Sequence, residues 1–182
     1  MTARVNRGAI PPFLVMEVMR AADAREAAGE DVYHLEVGQP STAAPQGVLD
    51  AAKAALNDDV LGYTLALGVG ELRQAIAEHY KNFYGIDIPA ARIVVTTGAS
   101  GAFVLAFLAA FEAGDRVALA LPGYPGYRHI LSALGNRPVT MATGPDSRFQ
   151  PTVEMIEALP EPVQGVIVAS PSNPAGTVIP EA

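Results

Sequence analysis

The stretch RIVVTTGASGAFVLAFLAAFEAGDRVALALPGYPGYRHILSALG (Arg92–Gly135) alternates between two periodicities. RIVVTTG is short, apolar and β-branched, which predicts a buried strand. SGAFVLAFLAAFEAG is a longer apolar run closed by Gly114, which predicts a helix. DRVALALP again predicts a strand, and GYPGYRHILSALG a turn followed by a helix. RPVTMA (Arg137–Ala142), TVEMIEALP (Thr152–Pro160) and GVIVAS (Gly165–Ser170) extend the alternation as strand, short helix and strand. Strands alternating with helices predict an α/β fold, three layers deep, with a mainly parallel sheet.

Upstream, the apolar positions Val15, Met16, Val18 and Met19 predict a helix over Pro12–Ala28, ended by Gly29. VYHLEV (Val32–Val37) alternates like a strand and runs into the turn cluster GQPS. PQGVLDAAKAALND (Pro45–Asp58) predicts a helix with proline at its start. GYTLALGVG (Gly62–Gly70) predicts a glycine-rich loop, and ELRQAIAEHYKNFYG (Glu71–Gly85) an amphipathic helix.

Composition narrows the function. The formal net charge is −7, with two lysines and ten scattered arginines, so no basic stripe is available for nucleic acid. The chain has no cysteine, which removes disulfide and thiolate chemistry. The first ten residues contain no apolar core of a signal peptide. The longest apolar run, Ala102–Phe111, is half of a membrane span. These features predict a cytoplasmic protein.

In an open parallel sheet, ligands bind beyond the carboxyl ends of the strands. Three stretches follow predicted strands directly. In TTGAS, small residues allow close backbone approach, and the first N–H groups of the next helix attract an anion such as phosphate; the same turn is also compatible with a simple strand–helix junction capped by Ser100. In LPGYPGY, Tyr124 either offers a flat stacking surface or packs as an ordinary rim tyrosine. In SPSNPAGT, two prolines stiffen the backbone around Asn173, which presents both a donor and an acceptor or serves only the turn. TGASGA also has some likeness to the cofactor turn of short-chain dehydrogenases. That pattern wants a glycine where this chain has Val104, and a lysine four residues after a tyrosine, which is absent.

In their order and shared edge, LEVGQPS, GYTLALGVGELRQAIAEHY, TTGAS, PGYPGY and SPSNPAGT together resemble the class I/II aminotransferases, pyridoxal-phosphate enzymes of fold type I related to aspartate aminotransferase. The likeness covers the whole chain. It implies that residues 1–40 belong to a small domain and residues 41–182 begin the large cofactor-binding domain. It implies that Gly98, Ala99 and Ser100 hold the phosphate of pyridoxal 5′-phosphate, that Tyr124 stacks on its ring, and that Asn173 hydrogen-bonds the phenolic oxygen. By the same likeness Tyr63 reaches the phosphate in the neighbouring subunit of a homodimer, and Gly38 lies beside the substrate carboxylate. The substrates would be an amino acid and a 2-oxo acid.

The family also needs a lysine that holds the cofactor covalently. Lys53 and Lys81 both read as solvent-facing helix residues. The family's lysine, ring-nitrogen aspartate and carboxylate-binding arginine are expected beyond Ala182, so the 182 residues alone are expected to be inactive. The resemblance places the strand at Ile93–Thr97 at one side of the large sheet. The strands starting at Arg116, Arg137 and Gly165 lie together at the other, with later strands between. A non-catalytic module that binds a phosphorylated ligand or a partner chain is the alternative.

Overall fold

The computed structural model describes residues 10–180. They pack as two compact units, one holding residues 14–96 and the other residues 97–180 together with residues 10–13.

The first unit is helical. Helix α1 (Leu14–Ala27) buries Ala22, and the chain leaves it through Gly29 at φ 85°. Helix α2 (Gln46–Asp58) follows Pro45, whose fixed φ suits a helix start. Helix α3 (Gly70–His79) continues into a wider π turn, Tyr80–Tyr84, where the sequence predicts unbroken α-helix to Gly85. There the His79 ring stacks on Phe83 at 5.4 Å and Tyr80 meets Tyr84 at 5.3 Å, before Gly85 closes the element at φ 70°.

Two predicted strands of this unit do not form. Val32–Val37 has no ladder partner among the described residues, and Tyr33 and Leu35 are about 90% exposed. His34 ties the segment down instead: its Nδ1 lies 2.7 Å from Glu36 Oε1 and its Nε2 3.1 Å from Glu26 Oε1. The hydrogen bond to Glu36, then that to Glu26, holds the imidazole pKa above its ordinary 6.5. A raised folded value means that this bridge stabilises fully below the unfolded pKa and is lost as pH rises through the folded one. An NMR titration is therefore expected to find His34 titrating above a free histidine; a midpoint at or below 6.5 would contradict the bridge.

Among the described residues, Ile93–Thr97 pairs with no strand of the sheet. Some of its backbone groups find partners elsewhere in the unit. Arg73 donates from Nε to the Ile93 carbonyl at 2.8 Å and from a terminal nitrogen to that of Ala90 at 2.7 Å. Val95 N–H donates to Leu67 O at 3.0 Å. The approach is tight because Gly68, at φ 98°, has the Val95 Cβ 2.8 Å from where its own Cβ would stand.

The second unit holds the sheet. Helix α4 (Gly98–Ala110) leads to strand β1 (Arg116–Leu121), helix α5 (Pro125–Leu134), strand β2 (Arg137–Ala142), the short helix α6 (Val153–Glu157) and strand β3 (Gly165–Ile167). The three strands are parallel in the order β2-β1-β3, with Arg116 opposite Arg137 and Val117 opposite Gly165. These are the strands that the family resemblance groups together. Central β1 is buried on both faces, as parallel strands are: Val117 and Leu119 point into the cluster with Phe107 and Leu131, while Ala118 is equally inaccessible. Gly165 lets the Phe111 ring lie on β3, since the ring carbons sit 2.5 Å from where a Cβ would be. On α4 only Phe107 is fully buried; Leu105 and Leu108 remain more than half exposed.

Candidate functional site

The carboxyl ends of β1 and β3 lie side by side, because the strands are adjacent and parallel. Beyond β1 the chain turns through Pro122 and Gly123 into Tyr124, the residue before α5. Gly123 is required there, since a Cβ would meet the Ala120 carbonyl oxygen at 2.5 Å. Beyond β3 the chain reaches the turn Ser172–Thr177, which carries Asn173. A cleft between these segments is lined by Leu119, Pro122, Gly123, Gln150, Ser172 and Asn173, among others.

Helix α4 brings a third element to this edge. Its Phe103 ring packs edge-on against Tyr127 of α5 at 4.9 Å, and one turn later Phe107 shares the buried cluster with Leu131. The equal sequence offset means that α4 and α5 run side by side in the same direction. Stepping back one turn sets Ser100 level with Tyr124. The helix ends agree: Gly114 N–H donates to the Gly135 carbonyl at 2.9 Å, and Asn136 Nδ2 to the Glu112 carbonyl at 2.7 Å, at the edge where strands begin. The N-termini of α4 and α5 therefore face the edge where strands end. Gly98, in the left-handed region at φ 72°, opens α4, and Ala99 and Ser100 form its exposed first turn. Amide donors there carry the positive end of the helix dipole.

Tyr124 is half-buried. Its ring meets Tyr127 edge-on at 5.3 Å and Phe13 at 6.1 Å. Phe13 also packs on His129 at 5.9 Å, whose imidazole is pushed below its ordinary pKa by burial and then by the charge of Arg128. The ring of Tyr124 lies over Gly126, with Cε1 2.3 Å from the position of a Cβ. Gly126→Ala is expected to swing that ring aside at a fold cost of about 1–3 kcal/mol, because the obstacle is the end of one side chain. A crystal structure of the variant checks this, and an unmoved ring would contradict it.

Of the residues singled out from sequence, Gly98, Ala99, Ser100, Tyr124 and Asn173 all lie in the second unit, at the edge where its strands end. Gly38 and Tyr63 lie on exposed segments of the first unit. Lys53 and Lys81 are exposed on α2 and on the π turn. The sequence reading missed Phe13, Gly126 and Gln150. The repeated Pro-Gly-Tyr of PGYPGY was a signal for Gly126; Phe13 and Gln150 gave none.

The family model of class I and II aminotransferases matches residues 30–182. The chain belongs to this family. A valine–pyruvate aminotransferase from Mycobacterium tuberculosis is 54% identical over 181 residues, 99% of this chain and 47% of its own length. An aspartate aminotransferase from Pyrococcus horikoshii is 33% identical over 151 residues, 82% of this chain and 39% of its own. Among solved structures, an aminotransferase from M. tuberculosis superimposes with a TM-score of 0.91 at 54% identity, covering 96% of this chain and 45% of that one. The Thermus thermophilus aspartate aminotransferase with maleate gives 0.90 at 29% identity, covering 100% and 48%. The chain spans about half the length of the curated relatives it matches. Membership in the aminotransferases displaces the dehydrogenase reading of TGASGA. Among the described residues, no helix is long and apolar enough to cross a membrane, and no cluster of acidic, histidine or cysteine side chains could hold a metal ion.

Proposed function

We propose that the intact protein is a pyridoxal-phosphate-dependent aminotransferase that moves an amino group from an amino acid to a 2-oxo acid. The observation that supports this is the carboxyl edge of one parallel sheet, toward which the α4 N-terminus, Tyr124 and the Asn173 turn all lie, in an aminotransferase chain. The donors there fit the cofactor: a dianionic phosphate suits the amides of Ala99 and Ser100, and a flat ring suits Tyr124. The buried Oε1 of Gln150, beside Asn173, adds an acceptor with no protein partner among the described residues. When bound, pyridoxal phosphate supplies the electron sink that labilises bonds at the amino-bearing carbon. The chain's own residues then have binding and orienting roles. Gly98, Ala99 and Ser100 hold the phosphate, Tyr124 covers one ring face, and the Asn173 amide donates to the phenolic oxygen and fixes the ring's rotation.

By analogy with the M. tuberculosis relative, valine and pyruvate are the first substrate pair to test. In the same reading residues 1–40 contribute to a small domain and residues 41–182 begin the large one. The protein acts in the cytoplasm as a homodimer, with Gly38 at the substrate carboxylate and Tyr63 reaching a neighbouring subunit's phosphate. The test is amino transfer by the full-length protein loaded with cofactor. Alanine should form from valine and pyruvate, with the parallel double-reciprocal lines of a ping-pong route. No transfer from any common amino acid would overturn the reading.

A further inference from the structure

Gln150 belongs to none of the family-like motifs, yet it is among the most buried polar residues of the described chain, at 3% exposure. The path into that position is unusual. Arg148 and Phe149, neither a glycine, sit in the left-handed region at φ 54° and 58°. Such backbone is unfavourable for residues with a Cβ and persists only where the surroundings demand it. The backbone there is pinned: Phe149 N–H donates to Gly144 O at 2.8 Å, and Gln150 N–H to Ser147 O at 3.0 Å. The result turns the Gln150 side chain inward.

Its amide then grips the asparagine turn. Nε2 donates to the Thr177 carbonyl at 2.6 Å. That carbonyl also accepts Ser172 N–H at 2.9 Å, which closes the turn, and Gly176 N–H donates to Ser172 O at 2.7 Å inside it. Thr177 Oγ1 donates to Arg148 O at 2.5 Å, a second tie between the same two segments. The amide cannot be flipped, because Oε1 would then face the Thr177 carbonyl. Gln150 also lines the cleft that Asn173 lines.

We infer that Gln150 is a positioning residue for Asn173: its buried amide locks the Ser172–Thr177 turn and so sets the direction of the Asn173 side chain toward the cofactor ring. This rests on the functional reading above. A rigid turn fixes the Asn173 backbone, and with it the origin and direction of its Cα–Cβ bond, before the ligand arrives, which is where a single hydrogen bond gains most.

The test is a double-mutant cycle in the full-length protein with Gln150→Met, which keeps the volume and loses the donor, Asn173→Ala, and the two together. Gln150→Met is expected to weaken pyridoxal-phosphate retention about tenfold, the effect of one lost buried hydrogen bond. The double variant is expected to retain the cofactor no worse than Asn173→Ala alone, because the two residues act through one contact. Amide exchange at Ser172 and Gly176 should quicken in Gln150→Met. Unchanged retention in that variant, or losses that multiply in the double variant, would overturn the inference. Should Gln150→Met fail to fold, Gln150→Glu, which exchanges donor for acceptor in the same shape, is expected to give the same cycle, and additivity there overturns it equally. If the unsubstituted protein retains no pyridoxal phosphate, the functional reading fails by itself. Exchange then decides the present inference, and unchanged protection at Ser172 and Gly176 overturns it.

Discussion

Asn173→Ala in the full-length protein is expected to weaken pyridoxal-phosphate retention by about ten- to a hundredfold while leaving the unfolding temperature of the apo form nearly unchanged. The two halves of that expectation have different sources. Asn173 is exposed in its turn, and the hydrogen bonds of the turn run through Ser172, Gly176, Thr177 and Gln150. Removing the Asn173 side chain therefore leaves the fold's own contacts in place. What is lost is a hydrogen bond to a charged ring oxygen, worth about 1.5–3 kcal/mol. Equilibrium binding measured by absorbance, paired with a melting curve, separates the two effects. A large drop in apo stability would mean that Asn173 serves the turn alone.

Leu131→Ala is expected to act in the opposite sense, costing about 2–5 kcal/mol of stability wherever the cofactor stands. Leu131 is fully buried, in a cluster with Phe107, Val117 and Leu119 that joins α4, α5 and β1. Truncation leaves a cavity among elements that carry both the α4 N-terminus and the Tyr124 turn. Ser132→Ala, one residue on and exposed, is the control and is expected to stay within about 0.5 kcal/mol. Denaturant unfolding of both variants checks the contrast. Equal effects would mean that the cluster does not support the site.

The strands β1, β2 and β3 and their connecting helices were legible in sequence because each carries its signal locally. RVALAL is apolar enough to be buried on both faces, and Gly135 marks where α5 stops, whereas α4 ends at Ala110, before the predicted Gly114. Val32–Val37 and Ile93–Thr97 have strand-like residues, but a strand exists only beside a partner. In this chain Arg73 supplies another partner for the Ile93 carbonyl, and His34 ties its own segment to Glu26 by side chains, contacts that no periodicity announces. The widening of α3 at Tyr80–Tyr84 coincides with ring contacts among His79, Phe83 and Tyr84, which spacing alone does not reveal. The site divides in the same way. Tyr124 and Asn173 follow β1 and β3, and Gly98–Ser100 follows a segment that only the sequence reads as a strand, so these candidates could be read in order along the chain. Gln150 could not, since its role comes from an amide reaching Thr177, far along the chain.

A crystal structure of the full-length protein with pyridoxal 5′-phosphate tests the central claim most directly. The account predicts phosphate oxygens about 2.7–3.2 Å from the backbone nitrogens of Ala99 and Ser100, the Tyr124 ring against the pyridine face, and the Asn173 amide on the phenolic oxygen. A cofactor whose phosphate lies away from the α4 N-terminus, touching neither Tyr124 nor Asn173, would contradict it.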